Sequence, residues 1–369
     1  MPTDKTFVQR MNRVREIIQV TKADFAMLTP SPNFLYLTGI HYDMRERLIA
    51  LVVRSDGTLH IVAPKFDVSN LSQQGWIKEF LPWSEEEDPY ALVAKAVHAK
   101  AKECTVLLDD HLPVGVLWAL EKVVGGFRRT LSMTPQLESM RIVKSKEEIE
   151  LMTKASRIIG ESVSKAMTEA RPGMTELEMR QVVINECVRN GALPTFTTVQ
   201  FGDNTAIPHG DSGTRQLRRG DVVLLDCGCD VDGYNTDITR AAVAGKPTKE
   251  QESVYSIVLK AQQAALDGIR PGLTCDKADS LARQVIEKAG YGAYFMHRLG
   301  HGVGLEVHEP PYLVKGNMME LRAGMTHSVE PGIYLEGKFG IRIEDSVCVN
   351  ETGCQVLTSS PKDLYRMDV

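Results

Sequence analysis

Five side chains in this sequence have the chemical types and local settings of a cation site: Asp226, Asp237, His301, Glu330 and Glu344. Asp226 ends the run Val222-Val223-Leu224-Leu225, which reads as a buried strand. An ionised carboxylate delivered there is costly without a partner, and a cation would satisfy it. Asp237 follows 11 residues after Asp226, beyond a turn at Asp232-Gly233, on a returning strand from Tyr234 to Ala242. A hairpin so built brings the two acids side by side, where they repel and raise one pKa unless metal ions keep both ionised.

The other three donors lie further along. In Gly300-His301-Gly302-Val303-Gly304 the glycines flanking His301 let the backbone approach whatever the imidazole binds. Glu330 closes an apolar stretch, and Pro331-Gly332 stops strand pairing behind it. In Ile341-Arg342-Ile343-Glu344-Asp345 the alternation sets Arg342 and Glu344 on one face and Asp345 on the other, so Arg342 is placed to orient a carboxylate. Four acids and one imidazole form a hard, oxygen-rich set that suits two octahedral or five-coordinate ions better than one tetrahedral zinc.

Competing chemistries lack their residues. There is no Gly-x-Ser-x-Gly elbow and no phosphate-cradling loop ending in Gly-Lys-Ser or Gly-Lys-Thr, and Gly300-x-Gly302-x-Gly304 lacks the strand and spacing of a dinucleotide site. Cys227 and Cys229 read as two thiols facing the same way on a strand, the acidic run Glu85 to Asp88 as a solvated loop, and His297 as a surface or supporting residue.

The elements that must position these groups fall into two domains, 1–139 and 140–369, as the length and the 43% hydrophobic content allow. In the first, 4–20 reads as a helix and 23–30 as an apolar strand. A hairpin follows, Leu48 to Val53 and Thr58 to Val62 around Ser55-Asp56-Gly57, then a helix near 90–101, a strand at Thr105 to Leu108, a helix near 114–123 and a strand near 127–133. That alternation is an α/β domain without a chemical motif. From Lys146 to about Ala170 a long charged amphipathic helix begins the second domain.

This second domain repeats itself. Arg171-Pro172-Gly173-Met174-Thr175 recurs as Arg270-Pro271-Gly272-Leu273-Thr274, an offset of 99 that also relates Gly191 to Gly290 and His209 to His308. Leu217-Arg218-Arg219-Gly220 before Asp226 matches Leu321-Arg322-Ala323-Gly324 before Glu330, at an offset of 104. Two related halves would face each other across a pseudo-twofold axis with their acids converging.

The 43 Lys and Arg against 48 Asp and Glu leave a formal charge of −5 and no basic face for a nucleic acid. No uncharged apolar run of about eighteen residues predicts a membrane span. The start Met1-Pro2-Thr3-Asp4-Lys5 has no apolar signal core, and seven scattered cysteines suit a reducing compartment, so the expected location is cytoplasmic.

The segments DCGCDVDGYNTDITR (226–240), HRLGHGVGLEVHEPP (297–311), SVEPGIY (328–334) and GIRIEDSV (340–347) together resemble the pita-bread metallopeptidases: prolidase, aminopeptidase P and methionine aminopeptidase. The match spans 140–360, and the N-terminal residues are similar in plan to the creatinase-like domain of prolidase and aminopeptidase P. The resemblance implies an α/β creatinase-like domain followed by an α+β pita-bread domain. It implies two divalent ions per subunit, with manganese first and cobalt or zinc as other occupants, held by Asp226, Asp237, His301, Glu330 and Glu344. It also makes His209 and His308 the two non-ligand histidines.

The expected reaction is hydrolysis of Xaa-Pro dipeptides. Two cations sharing one water would bring its pKa towards neutrality, and the hydroxide would attack the scissile carbonyl. Glu330 would shuttle the proton, His308 and His209 would hydrogen-bond the substrate or oxyanion, and Arg342 would hold a ligand carboxylate. The expected partner is a small peptide with proline in second position, and the expected assembly is a homodimer. Arg45, Arg47 and Arg298 are candidates for reading the substrate C-terminus, with a surface salt bridge as the plainer reading of any one. The alternatives are an aminopeptidase P acting on longer peptides, or a scaffold kept for binding alone.

Overall fold

The computed structural model describes residues 3–98 and 102–369. The chain divides into two compact units, Met1–Arg141 and Ile142–Val369. The first contains α1 (Asp4–Thr21), β1 (Phe25–Leu28), α2 (Pro32–Thr38), β2 (Ala50–Arg54), β3 (Leu59–Pro64) and α3 (Val68–Gln74). It continues with β4 (Phe80–Trp83), α4 (Pro89–Ala96), β5 (Thr105–Leu108), α5 (Val114–Val124), β6 (Arg129–Ser132) and α6 (Thr134–Arg141). The strands form one sheet in the order β4-β3-β2-β1-β5-β6.

Local sequence explains these elements. α1 buries Phe7, Met11, Val14 and Ile18, one apolar stripe at helical spacing. The β2–β3 hairpin turns where Gly57 takes φ 87° and Asp56 accepts from the Thr58 amide at 2.9 Å. α4 is shorter than the 90–101 helix expected, ending at Ala96, and residues 99–101 lie outside the described residues. Asp88, in the run expected to be a solvated loop, caps α4 by accepting from Tyr90 and Ala91.

This unit also holds a buried carboxylate at the end of β5. Asp109 accepts from Ser31 Oγ at 2.7 Å, Asn33 Nδ2 at 2.9 Å and Thr134 Oγ1 at 2.9 Å, and faces His111 Nδ1 at 3.1 Å. Burial opposes its ionisation, but the hydrogen bonds from His111, Ser31 and Asn33 outweigh it and hold the pKa at about 2.

The second unit contains α7 (Lys146–Thr168), α8 (Glu176–Arg189), β7 (Leu193–Phe201), β8 (Val222–Val231), β9 (Tyr234–Ala244), α9 (Lys249–Gly268) and α10 (Cys275–Lys288). There follow β10 (Gly300–Gly302), β11 (Glu309–Leu313), β12 (Thr326–Val329), β13 (Gly332–Leu335), β14 (Phe339–Arg342), β15 (Glu344–Val349), β16 (Cys354–Val356) and β17 (Tyr365–Met367). The large sheet runs β11-β10-β12-β15-β9-β8-β7, with β16 on β15 and β17 on β9, while β13 and β14 form a separate hairpin.

The internal repeat is visible in the helix ends. Thr175 and Thr274 cap α8 and α10, each also forming an isolated bridge to its own half, with Gln216 and Glu320 respectively. Gly191 and Gly290 take positive φ (81° and 85°) just past the two helices, where only glycine is unstrained. Each half has its own core. One packs α7 and α8 against β7–β9, and the other packs α9 and α10 against the β12–β15 side.

The period of two in β8 assigns its faces. Val223, Leu225, Cys227, Cys229 and Val231 enter the α7–α8 core, so both thiols do face one way, and Asp226 is left on the opposite face. The Ile341–Asp345 stretch differs from the continuous alternation expected: it breaks at Ile343, Arg342 ending β14 and Glu344 beginning β15. Its alternation of faces survives the break. No helix among the described residues is long and apolar enough to cross a membrane.

Candidate metal centre

The five groups expected to meet do meet, and they come from five consecutive strands of the large sheet. His301 is on β10, Glu330 directly follows β12, Glu344 opens β15, Asp237 is on β9 and Asp226 is on β8. Register aligns them: Thr239 pairs with Asp226 on one side and with Glu344 on the other, while Asp237 lies opposite Gly228, one residue pair further along the same face. Their donor atoms form overlapping groups within 4.8 Å of one another, namely Asp226, Asp237 and Glu344; His301, Glu330 and Glu344; and Asp237, His301 and His308. His308, expected outside the donor set, therefore has a ring nitrogen close enough to join one group.

The electrostatics suit cations. Asp237 Oδ1 and Glu344 Oε1 are buried without a hydrogen-bond partner. Burial, then the neighbouring acids, push the pKa of both carboxyls well above the usual range. A divalent ion would satisfy the orphaned oxygens and reverse both shifts, so the donor set fits the metal the sequence implies. Burial also opposes ionisation of Glu330, but His301 at 3.2 Å and the charges of His297 and Arg342 hold it at about 2. The hydrogen bond and charge of Glu330, with Asp237 at 3.7 Å from Nε2, raise the pKa of His301 against the burial that would lower it.

Glycine has a different task around His301 from the one expected. A Cβ on Gly300 would run into the Ser328 carbonyl, and one on Gly302 into the carbonyls of Glu309 and Pro310. The glycines let neighbouring backbones close on β10, rather than opening room for a ligand of the imidazole. The imidazole is aimed by its own Nδ1, 3.1 Å from the Gly302 carbonyl, which turns Nε2 to the acids.

A polar scaffold stands behind the donors. Arg342 Nη2 donates to Asp226 Oδ2 at 2.6 Å, Nε to Thr239 Oγ1 at 3.0 Å and Nη1 to the Tyr334 hydroxyl at 2.7 Å. Thr239 Oγ1 lies 3.0 Å from Asp226 Oδ1 and 2.6 Å from Glu344 Oε2, bridging the two acids. Ser328 Oγ donates to Glu330 Oε1 at 3.0 Å. Thr239, Ser328 and Tyr334 were not singled out from sequence. Thr239 and Ser328 were within reach of the strand period of two, each lying two residues from a predicted donor; Tyr334 acts through a separate hairpin and left no such signal.

These groups open into a cavity of about 600 Å³, lined also by Phe196, His209, His297, Arg298, Val307 and His308. His308 stacks edge-on against His301, ring centroids 4.1 Å apart, and burial followed by the His301 charge lowers its pKa to about 4. His209 reaches the cavity from an exposed segment after the short 3-10 turn Gly202–Ala206. His297 is not on the open surface: it is half-buried, with Nε2 2.9 Å from the Tyr334 hydroxyl. Arg298 lies in the cavity wall with its guanidinium 4.5 Å from the Tyr312 ring centre. The other two candidate arginines belong to the first unit. Arg47 pairs with Glu46 and, at 2.8 Å, with Glu85, and Arg45 lies 5.8 Å from the Tyr42 ring.

Comparison with known proteins agrees with this geometry. Residues 10–143 match the creatinase/prolidase N-terminal domain and residues 150–351 match metallopeptidase family M24. Among solved structures, a recombinant prolidase from Thermococcus sibiricus is 34% identical with a TM-score of 0.92, over 99% of this chain and 100% of that one. Dipeptidase PepE from Mycobacterium ulcerans is 33% identical with a TM-score of 0.90, over the whole of both chains. An X-Pro aminopeptidase from Thermotoga maritima is 30% identical with a TM-score of 0.86, over 97% of this chain and 99% of that one. With an acidic, imidazole-bearing cavity of this kind and a family match across most of its second unit, the chain belongs to metallopeptidase family M24.

Proposed function

We propose that the chain is an Xaa-Pro dipeptidase that works with two divalent cations held by Asp226, Asp237, His301, Glu330 and Glu344. The observation that carries this reading is the convergence of these five groups on one cavity whose wall also holds a cationic side chain, Arg298. When bound, the cations supply Lewis acidity and bring the pKa of water towards neutrality. Every other task falls to side chains of this chain.

Glu330 Oε1, which accepts from Ser328, is placed to take a proton at the cavity and return it to the leaving nitrogen. His308 is neutral at working pH because its pKa is so low, so one ring nitrogen donates and the other accepts. It and His209 line the cavity as donors to the substrate carbonyl or to the oxyanion that develops there. Arg342 and Thr239 hold Asp226 and Glu344 in register.

Arg298 is the residue proposed to read the substrate's terminal carboxylate, which a dipeptide brings next to the scissile bond and a longer peptide does not. The volume is in the range of small-molecule sites and so suits a dipeptide. Similarity to a prolidase and to a dipeptidase of known structure supports the same reading.

The deciding experiment compares Xaa-Pro with Xaa-Pro-Yaa after metal removal and readdition of manganese, cobalt or zinc. The dipeptide is expected to be preferred, and Arg298→Ala to lose that preference. A preference for the tripeptide in the parent would turn the reading to an aminopeptidase P, while a reconstituted protein inert towards both would turn it to a binding scaffold. The expected homodimer is checked by molecular mass in solution.

A further inference from the structure

The role proposed for His209 needs the segment carrying it to stay at the cavity, and we propose that Glu176 is the positioning residue that holds it there. This inference rests on the reading of His209 given above. Glu176 is the first residue of α8, and its side chain is completely buried. Its Oε1 accepts from the Phe201 amide at 2.8 Å and from Asn204 Nδ2 at 2.9 Å, while its Oε2 accepts from the Gly213 amide at 2.8 Å. Those backbone donors stand at the two ends of the segment 202–212, with His209 between them. One carboxylate thus ties the loop shut at its base.

Among the described residues no other single side chain bonds the backbone on both sides of this segment. Its tip is exposed, Ile207 by 57%, so apolar packing does not fix it. Its other ties are each to one point: Gln200 Nε2 donates to the Ile207 carbonyl at 2.9 Å, the Val199 amide to Ser212 Oγ at 2.8 Å and the Gly340 amide to Thr205 Oγ1 at 2.8 Å, while Arg215 pairs at 3.2 Å with Asp203, which is exposed and screened by solvent. Hydrogen bonds to an ionised acceptor are about twice as strong as neutral ones, and a buried carboxylate is tolerated only where such donors surround it.

The ordinary reason for an acid at this place is to favour a helix N-terminus. α8 does not depend on it for that, because Thr175 and Glu178 already form a complete capping box. The carboxylate turns away from its own helix and serves the loop. The internal repeat makes the same point by contrast: the offset of 99 residues places Cys275 where Glu176 stands. In that half the next residue, Asp276, accepts from the Gly316 amide at 2.7 Å, and Glu309, which follows the matching histidine His308, pairs with buried Lys144 at 2.6 Å.

The test uses the full-length chain with Glu176→Gln, His209→Ala, the double variant and a control, Met179→Ala, which removes a buried apolar side chain from the same helix. Gln keeps the size but turns an N–H towards amide donors. Hydrogen exchange is followed across 202–213 in the metal-free protein, and turnover in the reconstituted one. In Glu176→Gln that segment should exchange about tenfold faster, whereas Met179→Ala should lower the thermal midpoint without this local change.

Turnover of Glu176→Gln, as kcat/KM, should fall by about tenfold to a hundredfold, and the double variant should be no worse than His209→Ala alone. Parental exchange in Glu176→Gln, or losses that multiply in the double variant, would overturn the assignment. If His209→Ala itself keeps parental turnover, the fault lies with the proposed role of His209. Glu176 is then judged on the exchange of its loop alone.

Discussion

Arg342 donates to Asp226 across 2.6 Å, a buried guanidinium on β14 fixing one oxygen of a carboxylate on β8. The same guanidinium donates to Thr239 and Tyr334, so its fork geometry matters as well as its charge. Arg342→Lys keeps the charge and cannot make all three bonds. Its affinity for the activating ion, measured by calorimetric titration, should fall by about tenfold to a hundredfold. An unchanged affinity would remove Arg342 from the support of the site.

Ion binding should strengthen as pH rises. Asp237 and Glu344 have raised pKa values, so without a cation they retain protons that a cation must displace. Titrations at a series of pH values above the ordinary carboxylate range should therefore show proton release and a rising association constant. Asp237→Asn should weaken binding and flatten that dependence. Binding that is independent of pH in the parent would contradict the shifts.

In the first unit, Asp109 has the opposite sign. Its folded pKa of about 2 lies below the ordinary value of 3.8, so its stabilising effect is complete above that value and disappears as pH falls through 2. Asp109→Asn should cost about 2 kcal/mol near neutral pH. In urea unfolding that difference between variant and parent should shrink steadily below about pH 4. A gap that stays constant with acidity would show that the carboxylate is not held in its ionised form.

Lys144 and Glu309 form an ion pair almost closed to solvent, 2.6 Å apart. Removing one partner strands the other charge. Lys144→Met should destabilise the second unit by about 3–5 kcal/mol, and adding Glu309→Gln should return part of that loss. Thermal unfolding checks both. Equal melting of Lys144→Met and parent would mean that the pair contributes nothing.

The donor set was legible because each donor is announced by local pattern: an acid where a strand should stay apolar, or a histidine among glycines. The repeat was legible for a similar reason, since Thr175 and Thr274 head matching helices with glycines at matching exits. Thr239 escaped notice because a threonine in a strand is ordinary, and its importance arises from pairing with Asp226 and Glu344 at once. Tyr334 escaped because the β13–β14 hairpin lies outside the large sheet, and no periodicity in one strand predicts what a separate hairpin will bring. The flanking glycines of His301 were misassigned because sequence shows a missing side chain without showing which neighbour needs the space.

The one-donor-per-strand arrangement has a consequence for biogenesis. Asp226 and Asp237 belong to the earlier half of the repeat, while His301, Glu330 and Glu344 belong to the later one. A nascent chain that has completed only its first half offers two mutually repelling acids without the other three donors, a poor trap for an ion. An ion that depends on donors from both halves would be held only after the two halves have docked, which would tie metal affinity to completion of the sheet.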